Sequence, residues 1–313
     1  MNAPNIIHAV SWLLAFACAG LIGMAAHRGG ICMVRAVREP LQGKGFAMVG
    51  ALVRTSAWTL LLAMPLVWWA PGDETFPAIP LHWLAFTGGV LFGIGAGINR
   101  ACAISTATRL GNGEVFRFGT IGGFLLGAWI AMNAGTAFPA LTPPDSTNSV
   151  MIRPGVIPVV IYVPLFAWGI YELVRIGRRH LQEKIKRERR TEPAGRRPFG
   201  LTALSMGIAN GVLCARAGSW SYTNWLGDLA AALAGTTDRP PWIDPGPYLF
   251  ATLLAGIIAS ALHRKTLNIQ TGTASDWFSA TFGGALMGVG AVSIPGGNAA
   301  LILHAVPALS PHA

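Results

Sequence analysis

Two cysteines of this chain lie where their thiols could contact a solute. Cys32 follows the stretch "HRGGI" and Cys102 follows "GINRA", so each thiol comes directly after an apolar run that glycine or asparagine interrupts. Arg28 precedes the first thiol and Arg100 the second. Thiols are weak hydrogen-bond donors and arginines attract anions, which favours an anion with a soft sulfur atom as ligand. An inert structural role is the alternative for both cysteines.

The other two cysteines carry weaker signals. Cys18 lies inside an apolar run and is expected to be a small buried hydrophobic residue. Cys214 lies two residues before Arg216, and structural and functional roles stay equally open for it. The sequence has no CxxC motif and no histidine at metal-ligand spacing, so it indicates neither a metal site nor another cofactor. Three histidines are interpreted as interfacial or core residues: His8, His82 and His304.

The elements that must position these residues are membrane-spanning helices. The chain has 313 residues, of which 52% are hydrophobic and 12% are charged. A typical soluble protein has about 25% charged residues. The apolar residues form about eight or nine segments close to bilayer length, which is about 17–25 residues. The first segment lacks a basic start and is longer than the core of a signal peptide. The sequence therefore predicts an all-α polytopic membrane protein.

The net charge of +10 is concentrated in one linker. Arginines and lysines cluster between residues 175 and 197, and such loops face the cytoplasm. The linker is therefore predicted to be cytoplasmic and the N-terminus to lie outside, although Arg153 and Arg239 depart from the pattern. In this topology Arg216 lies near the outer end of its segment, where it is a candidate for attracting an anion. Because the linker lacks interleaved aromatic residues, the expected partner is the lipid bilayer and not nucleic acid.

The linker divides the chain into a first membrane repeat (1–175), the linker itself (176–198) and a second repeat (199–313). "GGVLFGIGA" (88–96) matches "GGALMGVGA" (283–291) without a gap, and "GMAAHRGG" (23–30) matches "GVLCARAG" (211–218) more weakly. With the linker inside, the two repeats enter the membrane in opposite directions. Inverted repeats are typical of transporters, whose substrate sites lie near the midplane at the repeat interface.

Four stretches interrupt their apolar segments with Gly, Pro or Asn: "GGICMVRAV", "GINRACAIS", "AGSWSYTNW" and "SIPGGNAAL". Irregular backbone inside a membrane must be buried in protein or line a cavity. We therefore expect four re-entrant broken helices, two from each face, that meet centrally. Backbone amides at Gly296 and Gly297 and the side chain of Asn298 are then candidate contacts for an anion.

Glycines spaced by four residues are expected to be helix-packing contacts, because small residues let helices approach closely in lipid. These glycines are Gly89 and Gly93, then Gly119, Gly123 and Gly127, and finally Gly284 and Gly288.

The blocks "GGICMVRA", "GIGAGINRACAIST", "GIANGVLCARAGSWSYT" and "GALMGVGAVSIPGGNAALIL" resemble, in order and spacing, the signature blocks of the YeeE/YedE family of sulfur-compound transporters. The resemblance implies an hourglass-like protein of the bacterial inner membrane that imports thiosulfate. It implies that cysteines along a narrow central path contact the terminal sulfur of thiosulfate, a role that falls on Cys32 and Cys102. It also implies a small soluble sulfur-carrier protein as a cytoplasmic partner.

The fourth block departs from the family pattern. Family members often have "GCN" where this chain has "PGGN", so Gly297 occupies the position of a further cysteine. Cys214 is one candidate replacement, and an outer site of glycine amides, Asn298 and Ser293 is the other. Sulfite or a selenium compound would depend less on thiols than thiosulfate does.

The sequence thus favours a non-enzymatic importer of thiosulfate or a related sulfur anion. Hydrogen bonds from neutral thiols and backbone amides would suffice, because a thiolate would repel the anion. The enzymatic alternative is a membrane sulfurtransferase or thiol oxidoreductase that uses Cys32 and Cys102, although a soluble catalytic domain is missing. A binding module whose basic linker docks a soluble protein is the third alternative.

Overall fold

The computed structural model describes residues 3–69, 77–138, 147–149, 155–189, 199–237, 244–294 and 297–311. The helices are α1 (Ala3–Gly29), α2 (Met33–Leu41), α3 (Ala47–Trp69), α4 (Trp83–Asn99), α5 (Ala103–Leu110), α6 (Arg117–Ala137), α7 (Val156–Arg189), α8 (Phe199–Ala217), α9 (Tyr222–Leu233), α10 (Gly246–His263), α11 (Ala274–Ser293), α12 (Gly297–Ala300) and a π-helix (Leu301–Ala305). Two short strands, β1 (Pro77–Ala78) and β2 (Thr147–Asn148), pair antiparallel, with Pro77 opposite Asn148.

Within the described residues, seven helical segments are long and apolar enough to cross a membrane. An eighth is present if α11 and the helical residues that follow it, bent by 47°, form one span. The prediction of an all-α polytopic membrane protein is confirmed, with a number of spans at or just below the lower end of the expected range.

Each of the four stretches that interrupt apolar segments is a break between a long helix and a short one. The short helices α2, α5, α9 and α12 are called the tips below. Gly30, Arg100 and Gly218 lie in the first three breaks with left-handed backbone, and Gly297 at the start of α12 has the same geometry, with φ between 54° and 65°. Left-handed geometry is free of steric cost for glycine, whereas at Arg100 it costs about 1–2 kcal/mol. A left-handed residue thus marks each change from a long helix to a tip.

Helices α4 and α11 pack antiparallel through the glycines of the stronger internal match. A Cβ atom added at Gly88 would lie 3.0 Å from the carbonyl oxygen of Gly290, and one added at Gly95 would lie 2.6 Å from that of Gly283. The internal match pairs Gly88 with Gly283 and Gly95 with Gly290. When each glycine is replaced by its counterpart, the contact between Gly88 and Gly290 becomes the contact between Gly283 and Gly95. A two-fold relation between the two halves requires this exchange of contacts.

The weaker internal match is accompanied by the same exchange. Gly23 of α1 packs against the backbone of Leu253 in α10. Its counterpart Gly211 of α8 packs against the backbone of Thr59 in α3. Helices α1 and α8 thus each contact an unbroken helix of the other half. Close backbone approach of this kind is how membrane helices associate without a hydrophobic driving force.

The two ends of the bundle are defined by contacts between loops. At the end reached by the C-terminus of α7, called the linker side, Val115 N–H donates to the Gln270 carbonyl at 2.9 Å. At the opposite end, called the far side, Ile79 N–H donates to Ser310 Oγ at 2.7 Å. The breaks before α2 and α5 lie toward the linker side, and those before α9 and α12 lie toward the far side.

Helix α7 extends over residues 176–189, so this part of the predicted linker is helical. One expectation about local structure is corrected. Gly89 and Gly93 do not pack against the part of the chain that the structure describes, because an added Cβ would meet none of its atoms within 4 Å at either position. The spacing was right for the other glycines, which contact α11 or α6: Gly119, Gly123, Gly127, Gly284 and Gly288.

The α4–α11 contact can be tested with two glycines of the same helix. Gly95→Val would force a side chain against the Gly283 backbone, and we expect a loss of about 1–3 kcal/mol in unfolding free energy. Gly93→Val adds the same atoms where space is open and should change stability little. Thermal unfolding in detergent measures both variants, and equal losses would contradict the packing described.

Candidate functional site

The thiols of Cys32 and Cys102 lie together at the starts of two tips. Each cysteine is the N-cap residue of its short helix, Cys32 of α2 and Cys102 of α5, and each has an extended backbone. Neither side chain caps its own helix. The two sulfur atoms are thus free to face each other, although 70 residues separate them along the chain.

Ser105 connects the two sulfur atoms. Cys32 Sγ donates to Ser105 Oγ at 3.3 Å, and Ser105 Oγ lies 3.5 Å from Cys102 Sγ. The backbone N–H of Met33 also donates to Cys102 Sγ, at 3.3 Å. Cys102 is 1% exposed, whereas Cys32 is half-buried. We call Cys32, Cys102 and Ser105 the dithiol site, which offers one more accessible and one enclosed sulfur.

Asn99 and Arg117 hold the break that carries Cys102. Arg117 Nη1 donates to the backbone oxygen of Asn99 at 2.6 Å and to its Oδ1 at 2.8 Å. Asn99 Nδ2 donates to the Ala101 carbonyl at 3.0 Å and to Thr106 Oγ1 at 3.1 Å. Glu114 pairs with the Arg117 guanidinium at 2.9 Å. This network satisfies the carbonyls that the helix leaves unpaired at its end.

The arginines that precede the thiols lie outside this network. Arg28 is half-buried near the end of α1, where its carbonyl accepts from Arg264 Nη1 at 3.4 Å. Arg100 is exposed at the C-cap of α4. Both belong to the linker side, where they supply positive charge near the breaks that carry the two thiols.

Tips from the two halves touch directly. The hydroxyl of Tyr222, the first residue of α9, donates to the carbonyl of Ala103, the first residue of α5, at 2.5 Å. Tyr222 is 7% exposed. A linker-side tip and a far-side tip therefore meet inside the protein, as the broken backbone requires in a bilayer.

A cavity of about 40 Å³ lies between the tips. Its walls come from both halves, and they are mostly apolar: Ile22, Gly23, Ala26, Ile104, Ala107, Thr108, Met206, Asn210, Trp220, Ser221, Tyr222, Leu253, Ile257, Ala299 and Leu303. Cys102 and Ser105 are close neighbours of the wall residue Ile104 in the chain, so the dithiol site adjoins the cavity without being part of its wall. The volume holds about three water molecules. Passage of a larger solute requires the tips to move apart.

The far-side residues predicted from the fourth block are only partly described. Gly296 lies outside the described residues. Gly297 has φ +65°, and a Cβ atom there would lie 2.6 Å from the Phe92 ring. A cysteine at this position would thus need both a strained backbone and a displaced Phe92. Asn298 is 9% exposed, and its Oδ1 is buried with no hydrogen-bond partner among the described residues.

Cys214 is not part of the cavity wall. It packs with Ala63, Val67 and Ala308, and its Sγ lies 3.1 Å from His304 Nδ1. His304 Nε2 bonds to the Trp220 carbonyl at 2.9 Å. Because a carbonyl only accepts, Nε2 carries the proton, and Cys214 donates to the unprotonated Nδ1 of a neutral ring. Cys214 and His304 therefore stabilise the far-side break before α9 through the hydrogen bond to the Trp220 carbonyl.

Arg216 is held by the first turns of α1. Its guanidinium lies 3.1 Å from Ser11 Oγ and 2.8 Å from His8 Nε2, and it stacks 4.3 Å from the centre of the Trp12 ring. The structure does not bring Arg216 to the cavity. It places the arginine at the far-side surface, where these contacts connect α8 to α1.

The sequence did not reveal four residues that shape this region: Asn99, Arg117, Tyr222 and His304. Each acts on a segment far away in the chain or through the backbone, and neither residue type nor spacing signals such a contact. The exception is Arg117, a charged residue at the start of an apolar helix with Glu114 three positions before it. That pair was a visible indication of a buried ion pair.

The proximity of the two thiols predicts a chemical result. In a variant with Cys18→Ala and Cys214→Ala, one equivalent of mercuric ion should protect both Cys32 and Cys102 from maleimide, because both sulfurs contact Ser105. Intact-mass measurement counts the maleimides. Adding Cys32→Ala gives the single-thiol control, which should release mercury to a competing dithiol more readily. One freely labelled thiol in the two-cysteine protein would contradict the geometry.

Comparison with known proteins agrees with this arrangement. A search of curated proteins finds no match. A family model described as Sulphur transport matches residues 28–313, nearly the whole chain, and includes all four breaks and the dithiol site. The chain therefore belongs to the sulphur-transport family, the YeeE/YedE family of membrane proteins.

Proposed function

We propose that this chain imports thiosulfate or a related sulfur anion along a central path between the four tips. The observation that carries the proposal is the dithiol site, in which two thiols and a hydroxyl meet beside a cavity between opposing tips. Thiols suit the terminal sulfur of thiosulfate, and N–H groups suit its oxygens. Membership of the family supports a sulfur compound as the transported solute.

We also propose the orientation predicted from charge, with the linker side in the cytoplasm and the N-terminus outside an inner membrane. Residues 1–175 and 199–313 are then inverted repeats that meet at the tips. The exchange of glycine contacts between the halves supports this relation. In this orientation the dithiol site is reached after the solute has passed the far-side tips.

The mechanism that we propose uses hydrogen bonds and no covalent step. An anion in the membrane interior needs donors that replace water without holding it too tightly. Neutral thiols at Cys32 and Cys102 donate weakly, so they allow release. Arg28 and Arg100 add attraction near the linker side, and Gly296, Gly297 and Asn298 stay candidate contacts at the far side. Because the cavity is small, tips must separate for each passage.

A soluble sulfur-carrier protein at the linker side is the proposed partner. The C-terminal part of α7 reaches that side and carries the exposed Arg178 and Arg179. An acidic surface on such a carrier, or anionic lipid headgroups, would be attracted to this helix. The carrier would consume the imported sulfur and thus favour inward movement.

Replacing Cys102 tests the thiol path. Cys102→Ala should abolish growth on thiosulfate as the sulfur source and lower uptake about tenfold or more, because a charge-assisted hydrogen bond is lost. Cys18→Ala removes a thiol of α1 that is buried in the hydrophobic core of the protein, and it should leave uptake unchanged. The amount of protein in the membrane is measured for both variants. Undiminished uptake by Cys102→Ala would remove the thiols from the path.

The enzymatic alternative makes a different prediction. A sulfurtransferase would transfer the terminal sulfur of thiosulfate to Cys32 or Cys102, breaking its S–S bond and releasing sulfite, and the trapped persulfide would be visible as one added sulfur atom in the peptide mass. We expect both thiols to stay unmodified while uptake proceeds. A persulfide that forms and disappears at the rate of uptake would contradict the proposed mechanism.

A further inference from the structure

The indole N–H of Trp220 is buried and has no acceptor among the described residues. Trp220 lies in the break between α8 and α9 and forms part of the cavity wall. A buried donor without a partner costs about 1–3 kcal/mol, so such a group in a native protein requires an explanation. One explanation is a ligand that enters the cavity and supplies the hydrogen-bond acceptor.

The other polar side chains of the cavity wall already have partners within the protein. Thr108 donates to the Ser105 carbonyl at 3.0 Å, and Tyr222 donates to Ala103. Asn210 Nδ2 donates to the Leu303 carbonyl at 3.1 Å, and Ser221 Oγ accepts from Asn224 N–H at 3.1 Å. All residues of this wall are described, and among them the Trp220 indole N–H is the side-chain donor that has no acceptor in the described part of the protein.

The backbone of Trp220 is held in place by residues that are not part of the cavity wall. His304 Nε2 donates to the Trp220 carbonyl at 2.9 Å, and Cys214 Sγ contacts Nδ1 of the same ring at 3.1 Å. Cys214 is 1% exposed and His304 is 3% exposed. These two residues position the break, so the indole ring is presented by a backbone with a fixed location.

We infer that Trp220 is a far-side binding residue whose indole N–H donates to an oxygen of the transported anion. The inference rests on the proposed function and extends it to a residue of the cavity wall in the break between α8 and α9. An N–H group donates strongly to anionic oxygen, whereas thiols suit soft sulfur. The oxygen end of the anion would therefore contact Trp220, and the sulfur end would face Cys32 and Cys102.

A matched control exists in the same chain. Trp225 in α9 also has a buried indole N–H without a partner among the described residues, and its ring packs 5.7 Å from that of Phe250. Trp225 does not belong to the cavity wall. Replacing either tryptophan with phenylalanine removes one unpaired N–H and keeps a ring, but only one of the two changes affects the cavity.

The first measurement is uptake by the full chain in liposomes. Trp220→Phe should raise the KM for thiosulfate about tenfold, which corresponds to about 1.4 kcal/mol. Trp225→Phe should leave KM within about twofold of the unaltered protein. Uptake by Trp220→Phe with an unchanged KM would overturn the assignment and leave the proposed transport in place.

The second measurement detects binding without transport. In protein labelled with ¹⁵N-tryptophan, the Trp220 indole proton resonance should shift saturably on titration with thiosulfate or sulfite. Hydrosulfide, which has no oxygen, should not shift it, and the Trp225 resonance should stay in place throughout. A saturable shift without any uptake would support the site and contradict the proposed transport. A Trp220 resonance that shifts with neither thiosulfate nor sulfite, or that shifts equally with hydrosulfide, would overturn the assignment.

Discussion

A helix that breaks inside a membrane exposes N–H and carbonyl groups that lipid cannot satisfy, and this constraint organises the whole molecule. Four breaks are present, and the structure buries them by bringing tips of the two halves together. The hydrogen bond from Tyr222 to the Ala103 carbonyl is the direct expression of this arrangement. The Asn99–Arg117 network satisfies carbonyl groups at the break before α5, and His304 bonds to the Trp220 carbonyl in the break before α9. The dithiol site lies between the tips because broken backbone inside a membrane must be buried within the protein.

The two sides of the cavity differ in chemistry. The linker side carries two thiols joined by Ser105. The far side has glycine at the equivalent of Cys102, and Phe92 leaves no room for a side chain at Gly297. It offers the harder indole donor of Trp220 instead. A solute with a sulfur end and an oxygen end fits this asymmetry, since each end meets the donor it prefers.

Much of this arrangement follows from the sequence, and the rest has a physical reason to be hidden. Apolar length predicted the spans, and Gly, Asn and Pro within them predicted all four breaks. Cys32 and Cys102 were predicted as a functional pair because each follows a break. Their contact through Ser105 depends on how two tips approach, which no local pattern encodes. The glycine spacing failed at Gly89 and Gly93 because small residues on a helix can face lipid as easily as a neighbour. His304 appeared to be an ordinary core residue, and its contact with Trp220 arises only from folding.

The central claim is that sulfur recognition by the paired thiols controls passage between the tips. The most direct test compares influx of radiolabelled thiosulfate and sulfate into liposomes that contain the purified chain. Both are dianions with oxygen acceptors, but only thiosulfate has a terminal sulfur. The account predicts rapid influx of thiosulfate and little influx of sulfate. Equal influx of the two anions, or influx of neither, would contradict it.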